Sequence, residues 1–595
     1  MRAESWSGAV ARATAVGVAL RAVFSGRMGF GGRATLIGFG SLPLVVVVVL
    51  ILVMTREAFL SDFLVADPGF TLENFKTIYS DPFVYGTLLN TLGFTIVTVA
   101  VAAFFGVITA WFVERTDLPG RGWVFPLMTL GVVLPGFVTA MGWLLLLHQR
   151  IGILNRWLVA IVPGLEQSPL HVGTIVGMGF VQGISLSGLM FIMVAASFRA
   201  MDPSLEESAD VHGVKLLHRL RKVTFPLAWP GILAAGIYIM TIGFAAFEVP
   251  AIIGMGNNIF TFSTFLYRQV NPDDAGLPRY GVAAASSAIM LVLAILLSLW
   301  YLRIVRRSNR YAVVTGKGYR PKLYHLPARG VALGWGFVTA NLALAMLLPF
   351  AVLVWASLTP FFQVPSAQAF STVTLDAYRF LTWSVVGGAV KNTLIIMIVV
   401  PTLTAAFGLA ISWVVTRSRA KGVSSTFEVL AFIPHAVPNI IFAVGAVIIG
   451  LRFLPQFIPF YGTIYIMIVV YVITRISFAT RVYSASLIQI HHELDEAGYV
   501  FGLSRVTVLW RILRPLLTPA LLYTWVWMAL LAYRELTLAA VLATRGNTVI
   551  ALKAWQLWEG DLPRGAALTV VMTVGILPLV AVYFYFARRV GRMSA

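Results

Sequence analysis

Two polar stretches far apart in the chain share one spacing. The first reads Leu205-Glu206-Glu207-Ser208-Ala209-Asp210-Val211-His212-Gly213 and continues to Val223, Phe225 and Pro226. The second reads Leu494-Asp495-Glu496-Ala497-Gly498-Tyr499-Val500-Phe501-Gly502 and continues to Ile512, Arg514 and Pro515. In each, a glutamate (Glu207, Glu496) is followed six residues later by glycine and nineteen residues later by proline. An acidic segment suits the positive N-terminal end of a short helix. Glycine then permits a sharp break or a close backbone approach. A basic amphipathic stretch follows (Lys215, Arg219, Arg221, Lys222; Arg505, Arg511, Arg514), and proline is expected to end it before the chain re-enters apolar sequence. The spacing therefore predicts a helix-turn-helix lying on the membrane surface. One such loop would read as an ordinary interfacial helix; two in matching places read as rigid knobs offered to a partner.

The repetition extends outward. Asn90-Thr91-Leu92 recurs as Asn392-Thr393-Leu394, and at the same shift of 302 residues Gly106 meets Gly408, Trp111 meets Trp413, Arg115 meets Arg417 and Gly120 meets Gly422. Upstream, Thr71-Leu72-Glu73-Asn74-Phe75 mirrors Thr374-Leu375-Asp376-Ala377-Tyr378 at a shift of 303. Around the polar loops the shift is 289, so the first half carries about 13 extra residues near 148–173.

The surroundings of the loops are apolar. Of 595 residues, 59% are hydrophobic and only 11% charged, and the mean hydropathy is +0.87. A soluble chain carries roughly a quarter charged residues, so soluble enzymes, disordered scaffolds and secreted modules are excluded. Runs of about 20 apolar residues, the length that crosses the hydrocarbon core, fall at 36–55, 90–112, 124–147, 174–198, 229–252, 281–303, 331–357, 389–414, 427–451, 463–487, 517–540 and 566–587. Prolines within 124–147 and 427–451 predict bends there. The fold expected is an all-α integral membrane protein of about 12 transmembrane helices in two tandem six-helix halves. An even number of spans per half gives parallel pseudo-two-fold symmetry and a pathway at the interface.

The net charge of +20 sits in short connectors rather than on one folded face, so no nucleic-acid partner is expected. Basic segments stay in the cytoplasm. Arg303, Arg306, Arg307, Arg310, Lys317, Arg320, Lys322 and Arg329 follow the sixth run, whereas Glu57, Asp62, Asp67, Glu73 and Asp81 follow the first. Both termini are therefore expected to be cytoplasmic. The units expected are a tail at 1–35, a first half at 36–303, a basic linker at 304–330, a second half at 331–587 and a tail at 588–595. No cleaved signal peptide is expected in the N-terminal tail, which lacks an uninterrupted apolar core.

The paired loops resemble the EAA loop of membrane permeases of ATP-binding-cassette (ABC) importers, in a form with two fused halves. Glu-Ala-Ala stands here as Glu207-Ser208-Ala209 and Glu496-Ala497-Gly498, departures that keep small residues. The resemblance implies that Glu207, Ser208, Ala209, Gly213 and Pro226, with Glu496, Ala497, Gly498, Gly502 and Pro515, form coupling helices seated in two ABC ATPase subunits. It also implies an extracytoplasmic solute-binding protein as partner, and a place in the bacterial cytoplasmic (inner) membrane. The chain has no Gly-x-x-x-x-Gly-Lys-Ser/Thr segment. ATP and magnesium are accordingly expected in the partner subunits, with no catalytic residue or cofactor in this chain.

Leu134-Pro135-Gly136, Gly152-Ile153-Leu154-Asn155, Ile433-Pro434-His435-Ala436-Val437-Pro438, Phe247-Glu248-Val249-Pro250 and Tyr533-Arg534-Glu535-Leu536 are similar to the iron(III)-type branch of that family. The resemblance implies ferric iron as cargo, with thiamine, phosphonate or polyamine importers as alternatives. A proton-coupled secondary carrier is the alternative of another class. Glu248 and Glu535, each toward the outer end of the span that follows a polar loop, are candidate pathway or gate groups because a carboxylate within a span is costly. Arg534 beside Glu535 offers instead a local ion pair. Arg475 has no counterpart at Leu186, and either pairs with an acid or snorkels outward. Cysteine is absent and the eight histidines are scattered, so no metal site is expected.

Overall fold

The computed structural model describes residues 32–61, 68–165, 169–199, 201, 204–272, 276–308, 323–418, 420–455 and 460–593. Most of the 1–35 tail, the centre of the 304–330 linker and the last two residues of the 588–595 tail lie outside the described residues. A helix stands on each of the twelve apolar runs. Among the described residues, nine helices are long and apolar enough to cross a membrane without a break: Gly32–Ala58, Pro82–Arg115, Ile175–Arg199, Leu220–Ala245, Ala328–Ser357, Trp383–Arg417, Ile464–Ile488, Arg505–Tyr533 and Leu562–Tyr583. The sixth run lies on Tyr280–Ser308, whose apolar part Tyr280–Leu293 is shorter.

The third and ninth spans are broken. Arg121–Val133 turns through 89° into Gly136–Leu147, and Lys421–His435 through 99° into Asn439–Arg452. Counting each bent pair as one span gives eleven. Leu134-Pro135 and Val437-Pro438 are extended, as the residue before a proline prefers. The prolines thus produce full breaks rather than kinks. Two spans also end earlier than their hydropathy: the helix expected over 229–252 stops at Ala245 and the one over 517–540 at Tyr533. The apolar sequence beyond them forms loops and short turns that are buried in protein, the one setting in which irregular backbone is tolerated at membrane depth. The extra first-half residues form the short helix Ile153–Ile161.

The repeated Asn-Thr-Leu does one job in both halves. Asn90 Nδ2 donates to Phe260 O (3.1 Å) and Thr91 Oγ1 accepts from Phe262 N (2.9 Å). Asn392 Nδ2 donates to Thr548 O (3.0 Å) and Thr393 Oγ1 accepts from Ile550 N (2.9 Å). The second span of each half so fixes the start of a short helix, Phe262–Val270 or Ile550–Gly560. These bonds satisfy backbone groups that lipid could not.

The first spans are exchanged between halves. Leu36 and Leu44 of the first span share a core with Leu409, Trp413, Tyr483 and Leu513. The buried Glu57 at its far end pairs with Arg452 at 3.0 Å. Reciprocally, the seventh span buries Asn341 against Ser187 (2.8 Å) and Thr109 (3.2 Å) of the first half. Its Pro349 lies so close to Gly142 that a Cβ there would come within 2.4 Å of the Pro349 carbonyl.

Small residues set the helix contacts, as expected where lipid removes any hydrophobic drive for association. A Cβ on Gly106 would meet Met190 at 2.6 Å, and one on its repeat partner Gly408 would meet Ala479 at 2.9 Å. Both lie where the second span of a half crosses the fourth. Gly106→Val should lower the melting temperature of the purified protein, with a cost of about 1–3 kcal/mol from overpacking. Gly38→Val, at a position with nothing within 4 Å, should leave it unchanged. Equal melting of both variants would contradict this packing.

Candidate functional site: two anchored loops and a cross-half clasp

Each polar loop folds as a helix-turn-helix. The first arms are Ser204–Val211 and Glu493–Val500. They end at Gly213 (φ +68°) and Gly502 (φ +74°), in the left-handed region that L side chains avoid. In the second loop Leu503 N donates to Gly498 O (3.1 Å) and Gly502 N to Tyr499 O (2.9 Å), and in the first Val214 N donates to Ala209 O (3.1 Å). This is the Schellman arrangement for closing a helix. Nothing lies within 4 Å of a Cβ on either glycine, so backbone conformation, not space, demands glycine there. Gly498 differs: a Cβ on it would meet Val508 at 2.7 Å, which makes it the point where the two arms touch.

The prolines do not end the second arms. The chain passes through π turns at Leu220–Thr224 and Leu509–Leu513 and runs on into the spanning helices, with Pro226 and Pro515 in their first turns. The widened turn absorbs the clash that proline would make with the carbonyl four residues back. Loop and span are therefore one continuous helix.

The loops are pinned by residues that the motif leaves out. Arg115 ion-pairs with Glu206, which also accepts from Thr224 Oγ1. Arg417 lies 2.8 Å from Asp495 and donates to the Leu487 and Ile490 carbonyls at 3.1 and 2.7 Å. Both arginine side chains are buried at the ends of their second spans, and the acids they hold are equivalent at a shift of 289. Burial raises the Asp495 carboxyl above its ordinary value, and the Arg417 charge opposes this. The motif glutamates Glu207 and Glu496, with Ser208 and Ala497, face solvent instead. So do the apolar tips: Val211 is 86% exposed, and Val500 and Phe501 are each 85% exposed. The Arg115–Arg417 match was visible in the repeat, but nothing in it named the acidic partners.

The first loop has a further neighbour. Tyr324, just before the seventh span, takes Arg115 O (2.8 Å) and accepts from Asp117 N (3.0 Å), and Arg219 lies over its ring at 4.8 Å. The Leu326 N–H and then His325 hold the Asp117 carboxyl below the usual range.

The candidate gate residues converge on the break in the third span. Glu248 and Glu535 lie just past the ends of their helices, not within them. Glu248 Oε2 accepts from Phe137 N at 2.9 Å, and a Cβ on Gly136 would stand 2.5 Å from that oxygen. Arg534, from the other half, donates to Val132 O (2.6 Å) and Leu134 O (3.0 Å). Glu535 does not pair with its neighbour: its Oε2 accepts from Arg475 at 2.8 Å, and its Oε1 accepts from Leu538 N at 3.2 Å. Arg475 thus finds an acid rather than snorkelling. At the second break, His435 stacks on Tyr238 of the first half, with ring centroids 5.5 Å apart. Among the described residues no three His, Asp or Glu side chains converge as metal ligands.

The chain has relatives along most of its length. The family described as "Binding-protein-dependent transport system inner membrane component" matches residues 102–310 and again 404–592. "Ferric transport system permease protein FbpB" of Actinobacillus pleuropneumoniae is 26% identical over 471 residues, covering 76% of this chain and 64% of that protein. The chain thus spans just under two thirds of that relative. "Putative ferric transport system permease protein FbpB 1" of Haemophilus influenzae (strain ATCC 51907 / DSM 11121 / KW20 / Rd) is 26% identical over 485 residues, covering 79% of this chain and 72% of that one. A solved structure described as a bacterial ABC transporter involved in the import of the acidic polysaccharide alginate aligns with 41% of this chain and 85% of its own, at 21% identity and a TM-score of 0.34. With one family match in each six-helix half, together covering more than half of its residues, the chain belongs to the binding-protein-dependent transport system inner membrane components.

Proposed function

We propose that the chain is the permease subunit of an ABC importer that carries ferric iron, delivered by an extracytoplasmic binding protein, into the cytoplasm. Two ATPase subunits drive it from the polar loops. The observation that carries this reading is the pair of equivalent knobs, each anchored at its base by a buried arginine and capped by a bare apolar tip. Val211, Val500 and Phe501 expose large side chains at equivalent loop tips, an apolar surface that suits the cleft of a partner. Ferric iron as cargo rests on the names of the relatives, which are permeases of ferric transport systems.

Force has a direct route inward. The helix that starts at Arg505 in the second loop runs unbroken to Tyr533, and Arg534 follows at once. The helix from Leu220 to Ala245 leads in the same way to Glu248. At 1.5 Å per residue each rod is roughly 40 Å long, so displacement of a loop moves the clasp without an intervening joint. Gly32, where the first span starts, lies beside Arg505, and the end of the linker lies beside the first loop. This grouping supports a cytoplasmic side shared by the start of the first span, the linker and the loops.

Photo-crosslinkers placed at Ser208 and Ala497 should capture the ATPase subunit; repeated capture of lipid alone would return the loops to interfacial helices. Gly502→Trp should reduce ATP-driven iron uptake at least tenfold while the protein still purifies folded, because a non-glycine residue at this φ costs about 1–2 kcal/mol and moves the tip. Normal uptake would count against docking. Glu248→Gln combined with Glu535→Gln should change the coupling ratio of ATP hydrolysed to iron moved. An unchanged ratio would leave both as structural members of ion pairs.

A further inference from the structure

We propose that the Arg534 guanidinium is a tethered stand-in for a hard cation. When Arg534 withdraws, the break in the third span becomes a transient oxygen-ligand site for the passing ferric ion. The proposal deepens the ferric-importer reading and rests on it for the identity of the ion.

Arg121–Val133 ends at the break, so its last carbonyls carry the negative end of a helix dipole and lack intrahelical partners. Val132 O and Leu134 O, at 2.6 and 3.0 Å, are used by Arg534 and by nothing else among the described residues. Interrupted membrane helices offer cations such carbonyl groups at half-helix C-termini.

Carboxylates complete the set. Glu248 and Arg534 both bond the backbone of this break, at Phe137 N and at Val132 O and Leu134 O. Glu248 engages the break through Oε2, which accepts from Phe137 N at 2.9 Å and lies against Gly136. Glu535 is held by Arg475, a positioning residue that fixes the charge near the site without taking it into the site. Carbonyl and carboxylate oxygens are the ligand class that hard, highly charged cations select. Once Arg534 leaves, two carbonyls and the Glu248 carboxylate remain at the break, where Arg534 of the other half had reached. That is too few to trap an ion and enough to replace part of its hydration, as a conducting site requires.

The two breaks differ. At the second break the cross-half contact is the stacked pair His435 and Tyr238, with the Arg481 guanidinium over the neighbouring Phe432 ring at 4.6 Å. The mover is also at hand, since Arg534 terminates the rod that begins in the second docking loop.

The test uses the purified full chain in detergent, with terbium(III) as an oxygen-seeking trivalent probe read by luminescence. The wild type should bind little, because Arg534 fills the site. Arg534→Ala should gain about one saturable equivalent, as expected for a single oxygen site, and Arg534→Ala with Glu248→Gln should lose it. Arg534→Lys, which keeps the charge, should stay empty. Should Arg534→Ala fail to fold, Arg534→Met keeps the stem packed and should show the same gain. No gain in either variant, or a gain that survives Glu248→Gln, overturns the proposal. The assay contains no ATPase, so its failure beside successful crosslinking at Ser208 and Ala497 would reject the cation site and leave the importer reading intact.

Discussion

A peptide group in lipid has no water to turn to, and that constraint organises the rest of this molecule. It makes every crossing a helix, and it makes each departure from helix a place that protein must cover. The two broken spans meet that demand differently. At Pro135 the exposed amide and carbonyls are taken by charged side chains, Glu248 from the same half and Arg534 from the other. At Pro438 the contact across the halves is a ring stack. A charged solution is costly at that depth unless it is paired and bonded. Here Glu248 and Arg534 are bonded to backbone groups, and Glu535 is paired with Arg475 at 2.8 Å.

Duplication and fusion account for the pattern of sameness and difference. Features inside one half recur with the same bonds: Asn-Thr-Leu on the short outer helix, glycine where the second span crosses the fourth, arginine on the acid that precedes the motif glutamate. Features that involve the join do not recur. Tyr324 and His325 reach the first loop because the linker must descend into the exchanged seventh span there. Exchange of the first spans also makes each polar loop a neighbour of chain from the other half.

Much of this was legible from the residues, and the limits have physical causes. Hydropathy located a helix at each of twelve positions because burial in lipid is a composition signal. It overran the ends at Ala245 and Tyr533 because the following loops are apolar too, covered by protein rather than by lipid. Proline marked both breaks but not their angle, which depends on what caps the freed groups. It misled at Pro226 and Pro515, where a π turn lets the helix pass. The glycines of the loops were readable, since a left-handed φ leaves few other choices. The ion pairs were not: Arg115 and Arg417 announced themselves as a repeat, yet which acid each would hold depends on a fold that brings together residues 91 apart in one half. Exchange of the first spans left no mark at all, because an apolar helix face does not name its partner.

The one-sided clasp bears on how a two-fold machine can pass a solute in one direction. If both breaks carried the same charged cap, opening would need two equivalent and opposed sets of bonds to part together. On the importer reading, the charged contacts lie at one break, which the helices Leu220–Ala245 and Arg505–Tyr533 both approach. The other break carries a contact of rings across the halves. Equivalent loops then receive equal pushes while the charged contacts respond at one place. The duplication supplies two levers of the same shape, and they meet at one latch, Glu248 from one half and Arg534 from the other.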